Sequence, residues 1–387
     1  MFPKRAYAQI DLDAITENVK RVQEKVGPFV KTMAIIKTDA YGHGAVPVAE
    51  ALAQEGVDAF GVASVEEGEV LRRHNINNPI LILGYVYPED YEALLKSDLM
   101  HAVFEYETAQ KLSAKAVELG LTAKIHIKVD TGMGRIGLMP DDSGLETVKR
   151  ISALPGIEID GIFTHFACAD SSDKSSVNAQ KERFLRFLDR LKAEGINPPV
   201  KHMDNSAGII DFDDGFLDMV RIGIMTYGLY PSDEVKKESF PLKPAMQLVS
   251  SVSFVKEVKA GFKVGYSSTF TAEKDMKIAT VSIGYGDGYP RSLSNKGRVL
   301  VGGEYASIIG RVCMDQIMID VSSLDVKQGD KVTLIGSDGD KCISAEEVAN
   351  LAGSFNYELV CSVNMRVPRV YLKGGKVVKV VNYLDNI

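Results

Sequence analysis

The stretch AKIHIKVDTGMGRIGLMPDDSG, residues 123–144, decides between two folds. Its first eight residues alternate as a strand does. Ile125, Ile127 and Val129 fall on one face and His126, Lys128 and Asp130 on the other. Residues 132–137 then satisfy GxGxxG, the literal fingerprint of a dinucleotide-binding turn. Such a turn opens straight into a helix, because the pyrophosphate rests on the helix N-terminus. Here LMPDDSG intervenes and puts the next helix start near Ser143, which disfavours an open dinucleotide-binding sheet. The glycines more simply let the Arg135 guanidinium approach an anion closely. One strand face must line an interior, and a buried Lys128 ammonium is costly unless paired, so an ion pair with Asp130 or another carboxylate is expected.

On either side of this stretch, β-branched runs alternate with amphipathic segments from residue 11 to about 230. The runs are VKTMAIIK, DAFGVAS, PILILG, HAVF, AKIHIKVD, IDGIFTH, VKHMDN and DMVRIGI. Asp13 is expected to cap a helix with Ile15, Val19, Val22 and Val26 on one face, ended by Gly27, and Ser64 with Glu67 reads as a capping box. Eight strands with intervening helices in roughly 220 residues suit a (β/α)8 TIM-type barrel, whose usual size is about 250 residues, better than an open sheet. PSDEVKKESFPLKP then reads as a polar linker. Beyond it, MQLVSSVSFVKEV, KIATVSIGYG and DKVTLIGS announce a mainly β domain, interrupted by one helix capped by Ser344. The expected domains are a barrel over residues 10–235 and a β domain over residues 236–387, which residues 1–9 could join.

With 387 residues, two cores are expected, and 45% hydrophobic against 25% charged residues is ordinary globular composition. A net charge of -7 without a basic block argues against nucleic acid and anionic membrane as partners. No apolar stretch approaches bilayer length and the opening MFPKRAYAQIDLD turns acidic, so a cytoplasmic protein is expected. Cys168, Cys313, Cys342 and Cys361 lie far apart, which suggests reduced thiols and neither a disulfide framework nor a metal site.

Barrel active sites lie at the C-terminal strand ends. The first strand ends in Lys37, followed by Tyr41 and His43; Arg135 follows the fifth, and His165 ends the sixth. Asn205 and Ser206 follow the seventh strand, and Arg221 lies on the eighth beside Gly223 and Ile224. A lone lysine at a strand end is more often a snorkelling surface residue. Convergence on one rim favours function. Partial desolvation would make the Lys37 amine nucleophilic and suited to a carbonyl cofactor, and the glycines of TDAYGHG would let the backbone turn beneath a bulky ligand. DNSAG and RIGIMTYG occupy the loops where barrels commonly hold phosphate, with the Ser206 hydroxyl and the Gly223 and Ile224 N–H groups as donors. GYGDGY near Tyr285 reads as a turn cluster rather than a phosphate loop.

These pieces resemble the alanine racemase family over nearly the whole chain: AIIKTDAYGHGA, HIKVDTGMGRIG, DNSAG, RIGIMTYGLYP, VGYSSTF, SIGYGDGYPR, IGRVCMDQIMIDV and NYELVCSVNMRVPR. The resemblance implies an enzyme dependent on pyridoxal 5'-phosphate (PLP) that interconverts L- and D-alanine for peptidoglycan, working as a homodimer. It implies Lys37 as the lysine that carries PLP, with Tyr41, Ser206, Gly223, Ile224 and Tyr357 at the phosphate. Arg221 would meet the pyridine nitrogen, Arg135 the phenolic oxygen and the substrate carboxylate, and His165 the same hydrogen-bond network. Tyr266 would be the second catalytic base, supplied by the other subunit together with the backbone around Met314. Lys128 would be carbamylated, as in many members. A racemase of serine or of broader specificity, a PLP-dependent decarboxylase and a non-catalytic PLP-binding protein are the competing readings. Arg221 argues against the decarboxylase, and the β domain against the binding protein.

Overall fold

The computed structural model describes residues 5–213 and 215–386. Residues 1–4, within the stretch expected to join the β domain, lie outside the described residues. Strand β1 (Ala6–Asp11) precedes eight strands that close into a parallel barrel. These are β2 (Lys31–Ile35), β3 (Ala59–Val62), β4 (Ile80–Ile82), β5 (Met100–Val103), β6 (Ala123–Lys128), β7 (Ile157–Phe163), β8 (Val200–His202) and β9 (Met219–Ile222). They pair in sequence order, and Met33 opposite Arg221 closes β2 on β9. Each expected run contributes one barrel strand. Strand alternation puts one set of side chains inside. Pairing of Lys128 with Phe163 and of Phe163 with His202 puts these three on one face, and Lys128 and Arg221 both lie over the Phe163 ring, so this face is the interior.

Helix Leu12–Val26 buries Ile15, Val19 and Val22. Its start corrects one expectation: Asp13 lies inside the helix, and its N–H donates to the Asp11 carboxylate at 2.9 Å. Gly27 ends it at φ +80. Ser64 caps helix Val65–Arg73 by accepting the Glu67 N–H at 3.4 Å. The Glu67 carboxylate does not return the bond to Ser64; it accepts the Ala63 N–H at 2.7 Å and the Thr38 N–H at 2.6 Å.

The second unit is built on β1, β10 (Met246–Val258), β11 (Lys263–Val264), β12 (Phe270–Thr271), β13 (Met276–Val281), β14 (Arg298–Val301), β15 (Glu304–Ser307) and β16 (Ile317–Asp320), with β17 (Lys331–Asp338), β18 (Lys341–Ile343), β19 (Arg369–Lys373) and β20 (Lys376–Val381). Its main sheet runs β15, β14, β17, β10, β1, β19, β20, while β13 and β16 branch from β10. Strand β1 runs antiparallel to β10 and parallel to β19, which ties residues 6–11 into this sheet. Val258, Val264, Ala272, Met276, Ile278 and Ile309 form a buried cluster with Phe270 and Met318 against it.

The chain divides after Asp13 and after Lys243 rather than at residues 10 and 235, and Tyr41–Gly44 group with the β unit. The linker explains the later boundary. Val235 and Phe240 are buried, the Lys236 N–H donates to Asp211, and the Asn18 side chain accepts the Lys243 N–H and donates to the Lys243 carbonyl, both at 2.9 Å. The segment is polar in composition but packs as part of the barrel unit. No helix among the described residues is long and apolar enough to cross a membrane.

Candidate active site

Lys37 stands half-buried just past β2. Thr38, Asp39, Ala40 and Tyr41 then take left-handed backbone conformations, with φ of 55, 52, 54 and 52. Each such residue costs about 1–2 kcal/mol outside glycine. Polar clamps offset that cost within the barrel unit. Glu67 accepts the Thr38 N–H, Asp39 accepts the Ala45 N–H at 2.7 Å, and the Ala40 N–H reaches the Ile36 carbonyl at 2.8 Å. The backbone direction beside Lys37 is thereby fixed.

The glycines after Tyr41 have a different task from the one read in the sequence. A Cβ on Gly42 would stand 2.2 Å from the Val360 carbonyl oxygen, and one on Gly44 would stand 1.8 Å from the Tyr371 hydroxyl. They make room for close packing within the β unit. His43 is fully buried there, its Nδ1 2.9 Å from the Tyr41 carbonyl oxygen, and so is not a rim residue. The same unit brings the Tyr41 and Tyr357 rings together at 6.0 Å, and burial, with the nearby Cys361, raises the Tyr41 phenol well above its usual range.

After β6 the chain makes a loop around one carboxylate. Asp130 accepts the N–H groups of Gly132, Met133, Gly134 and Arg135 at 2.8 to 3.2 Å. Gly137 at φ +140 passes so close that a Cβ would stand 2.4 Å from the Asp130 nitrogen. The next helix, Asp142–Ser152, has its own cap in Asp141, which accepts the Gly144 N–H at 3.0 Å. No helix opens from the glycine motif, and Arg135 is left exposed at the strand end.

The expected ion pair of Lys128 with Asp130 does not form. Lys128, 2% exposed, donates to the Val129 carbonyl at 2.8 Å and makes no ion pair among the described residues. Burial and then the neighbouring Arg221 push its pKa down to about 8, partly opposed by Asp130. Arg221, 3% exposed, donates through Nη2 to the Thr164 and Met203 carbonyls and to His165 Nδ1, and through Nη1 to His202 Nδ1. Burial lowers its pKa to about 10. Burial raises that of Asp204 to about 6 against the attraction of Arg221.

His165 is where these charges meet. Burial and then Arg221, Arg135, Lys128 and Lys37 hold its pKa well below the ordinary value. Four cations therefore lie within electrostatic reach of one neutral imidazole. Gln180, on helix Ser175–Ala193, fixes that loop by donating to the His165 carbonyl at 3.0 Å and accepting the Ala167 N–H at 2.9 Å. At the next strand ends, buried Ser206 accepts the Gly223 N–H at 3.0 Å, and Ile224 begins a 3-10 turn, Ile224–Tyr227. Lys37, Lys128, Arg135, His165, Ser206, Arg221, Gly223 and Ile224 thus share the C-terminal strand ends of one barrel, and such a cation excess suits an anionic small molecule.

In the β unit Tyr266 opens a 3-10 turn after Gly265 and is 72% exposed. It borders a concavity of about 470 Å³ lined also by Phe262, Cys313, Gln316 and Met318. Met314 is exposed. Its carbonyl accepts the Gly286 N–H at 2.8 Å, and Gly284 and Gly286 are the only residue type that fits against the 313–314 backbone. GYGDGY is accordingly a turn built against that backbone. Asp130 as a loop anchor, Gln180 and His202 were not among the expected site residues; an inward strand parity shared by His126, Lys128 and Arg221 was the available signal for His202. No group of metal-ligating side chains occurs among the described residues.

An eight-stranded parallel barrel with a lysine closing its first strand and cations gathered at the same strand ends, followed by a mainly β unit, defines a two-unit barrel protein for an anionic small molecule. Residues 10–231 match the family model "Alanine racemase, N-terminal domain", and residues 245–371 match "Alanine racemase, C-terminal domain". The alanine racemase of Clostridium perfringens is 45% identical over 379 residues, covering 98% of both chains. Among solved structures, alanine racemase of Clostridium difficile 630 superposes with a TM-score of 0.95 at 39% identity, over 99% of this chain and 100% of that one. Alanine racemase from Bartonella henselae with covalently bound pyridoxal phosphate gives 0.83 at 32% identity, over 96% and 100%. The chain belongs to the alanine racemase family.

Proposed function

We propose that this protein interconverts L- and D-alanine with PLP as cofactor, as a cytoplasmic homodimer that supplies D-alanine for peptidoglycan. The observations that carry this reading are the family match of both units and the placement of Lys37, Arg135 and Arg221 at the C-terminal strand ends of one closed barrel. A phosphate, a phenolic oxygen and a substrate carboxylate are the anions such a cluster would balance. The donor chemistry fits as well: Arg221 has only N–H donors and so suits an unprotonated ring nitrogen.

Lys37 would hold the cofactor covalently, with Tyr41, Ser206, Gly223, Ile224 and Tyr357 at its phosphate. Arg135 would meet the phenolic oxygen and orient the substrate carboxylate, assisted by the backbone at Met314 supplied, like Tyr266, by the other subunit. Once bound, PLP supplies the electron sink that acidifies the α-hydrogen of an attached amino acid. The Lys37 amine would move a proton at Nζ on one face of the α-carbon and the Tyr266 hydroxyl at Oη on the other, which is the minimum set for inversion. The exposure of Tyr266 supports its use on a partner subunit. Guanidinium keeps its proton at working pH, so Arg221 would leave the ring nitrogen unprotonated and moderate the electron withdrawal. Lys128, with its pKa near 8, has a neutral fraction able to add carbon dioxide; the resulting carbamate would face Arg135 as an anion.

The test is an amino acid panel in heavy water. Alanine should exchange its α-hydrogen for deuterium and lose optical activity, with PLP recovered in proportion to enzyme. Faster conversion of serine than alanine would reassign the substrate, and exchange with no amino acid would defeat the proposal.

A further inference from the structure

Below Arg221 the barrel interior holds a chain of polar groups that ends on a carboxylate. Arg221 Nη1 lies 2.9 Å from His202 Nδ1, His202 Nε2 lies 2.9 Å from His126 Nδ1, and His126 Nε2 lies 3.2 Å from Asp160 Oδ2. Both imidazoles are fully buried, at 0% and 1% exposure, so water cannot substitute along the way.

The direction of every bond follows from the arginine. A guanidinium nitrogen can only donate, so His202 Nδ1 must accept. The single proton of a neutral imidazole then sits on His202 Nε2, which must donate to His126 Nδ1. His126 in turn carries its proton on Nε2 and donates to Asp160. A doubly protonated His126 would set two N–H groups against each other.

The strand geometry is arranged for this. Ile125 pairs with Ile159, but His126 pairs with Gly161, so Asp160 is an extra residue inserted as a bulge in β7. Bulges re-aim side chains. The insertion turns the Asp160 carboxylate to His126, while a Cβ on Gly161 would stand 2.4 Å from the same imidazole ring. Phe163 stacks on His202 at 4.7 Å and an interplanar angle of 8°, fixing the second ring. The hydrogen bond from His126, against the effect of burial, keeps the Asp160 carboxyl below its ordinary range.

We propose that Asp160 and His126 are positioning residues for Arg221: the carboxylate polarises a one-way hydrogen-bond chain that holds His202 as its Nε2–H tautomer and so keeps the guanidinium in place. The opposite tautomer would put His202 Nδ1–H against Arg221 Nη1–H and displace the arginine. The consequence for the cofactor ring rests on the role proposed for Arg221; the chain itself does not.

The experiment is imidazole nitrogen and N–H proton NMR of the holoenzyme labelled only in histidine. Wild type should show both His126 and His202 as single Nε2–H tautomers. Asp160→Ala should move the Nε2–H proton of His126 upfield and carry a smaller shift of the same sign to His202. Asp160→Asn, whose amide oxygen still accepts, should retain the tautomers with a lesser shift. His126→Phe, which removes the acceptor of the His202 Nε2–H, should move that proton upfield and abolish the effect of Asp160→Ala on His202. An Nδ1–H or doubly protonated form of either residue in wild type, or a His202 signal unmoved by every Asp160 change, would overturn the proposal. Turnover is not the readout, so this failure is distinct from failure of the racemase reading.

Discussion

Replacement of Lys128 by methionine keeps the length of the side chain and removes its charge, and the consequence can be calculated from the lysine's surroundings. Its amine is buried over the Phe163 ring, and burial, then the charge of Arg221, lowers its pKa from the ordinary 10.5 to about 8. At about 1.4 kcal/mol for each tenfold step, that fall amounts to about 3 kcal/mol. A folded pKa below the unfolded one means that, between pH 8 and 10.5, the unfolded chain binds the proton and the folded one does not. Stability contributed by this group therefore rises with pH across that window, and below it the full penalty applies. Lys128→Met should stabilise the apoprotein at pH 7 by about 2 kcal/mol, once about 1 kcal/mol is deducted for the lost bond to the Val129 carbonyl. The advantage should vanish as pH approaches the unfolded lysine value. The assay is urea unfolding of both proteins in carbon dioxide-free buffer across the window, read as a difference so that the other titrating groups cancel. A difference constant with pH would contradict the desolvation account. Repetition in bicarbonate, with intact mass measured, tests the carbamate: a mass gain of one carbon dioxide that is lost in the variant is expected.

Tyr266→Phe should keep the visible absorbance of bound PLP while racemisation falls by about 100-fold or more; near-normal turnover would rule out its role. Lys37→Ala should lose that absorbance, and mixing the two inactive proteins should restore activity if the site is shared between subunits. Gly44→Ala should lower the melting temperature, since its Cβ meets the Tyr371 hydroxyl at a backbone φ of +94, with a cost of about 1–3 kcal/mol; an unchanged melting temperature would show that the loop yields. Asp130→Ala removes the acceptor of four backbone N–H groups, so faster amide exchange over residues 132–135 and a raised KM for alanine are expected.

The barrel was legible because its information is local. Eight β-branched runs, helix caps at Ser64 and Ser344 and the interval between GMGRIG and the next helix are properties of adjacent residues. They specify strand, loop and helix without reference to distant parts of the chain. Lys37, His165, Ser206 and Arg221 could be read as rim residues because a parallel barrel puts every strand end on the same side. Misreadings arose where a residue's partner is remote in sequence. Gly42 and Gly44 looked like ligand-binding glycines, yet their neighbours are Val360 and Tyr371. Lys128 is expected from the sequence to pair with Asp130 or another carboxylate, whereas Asp130 turns its oxygens to the loop N–H groups. The linker looked free because its apolar anchors, Val235 and Phe240, are only two among many polar residues.

Alternation of strands and helices, the cation-bearing strand ends and the family are all written in the primary structure, since periodicity and motif order survive without coordinates. Where protons and charges sit is a matter of tertiary structure. Burial and the charge of Arg221 lower the Lys128 pKa, and a bulge at Asp160 orders the tautomers of His126 and His202. Both effects depend on groups dozens of residues apart meeting where water is excluded, and so only closure of the barrel could set them.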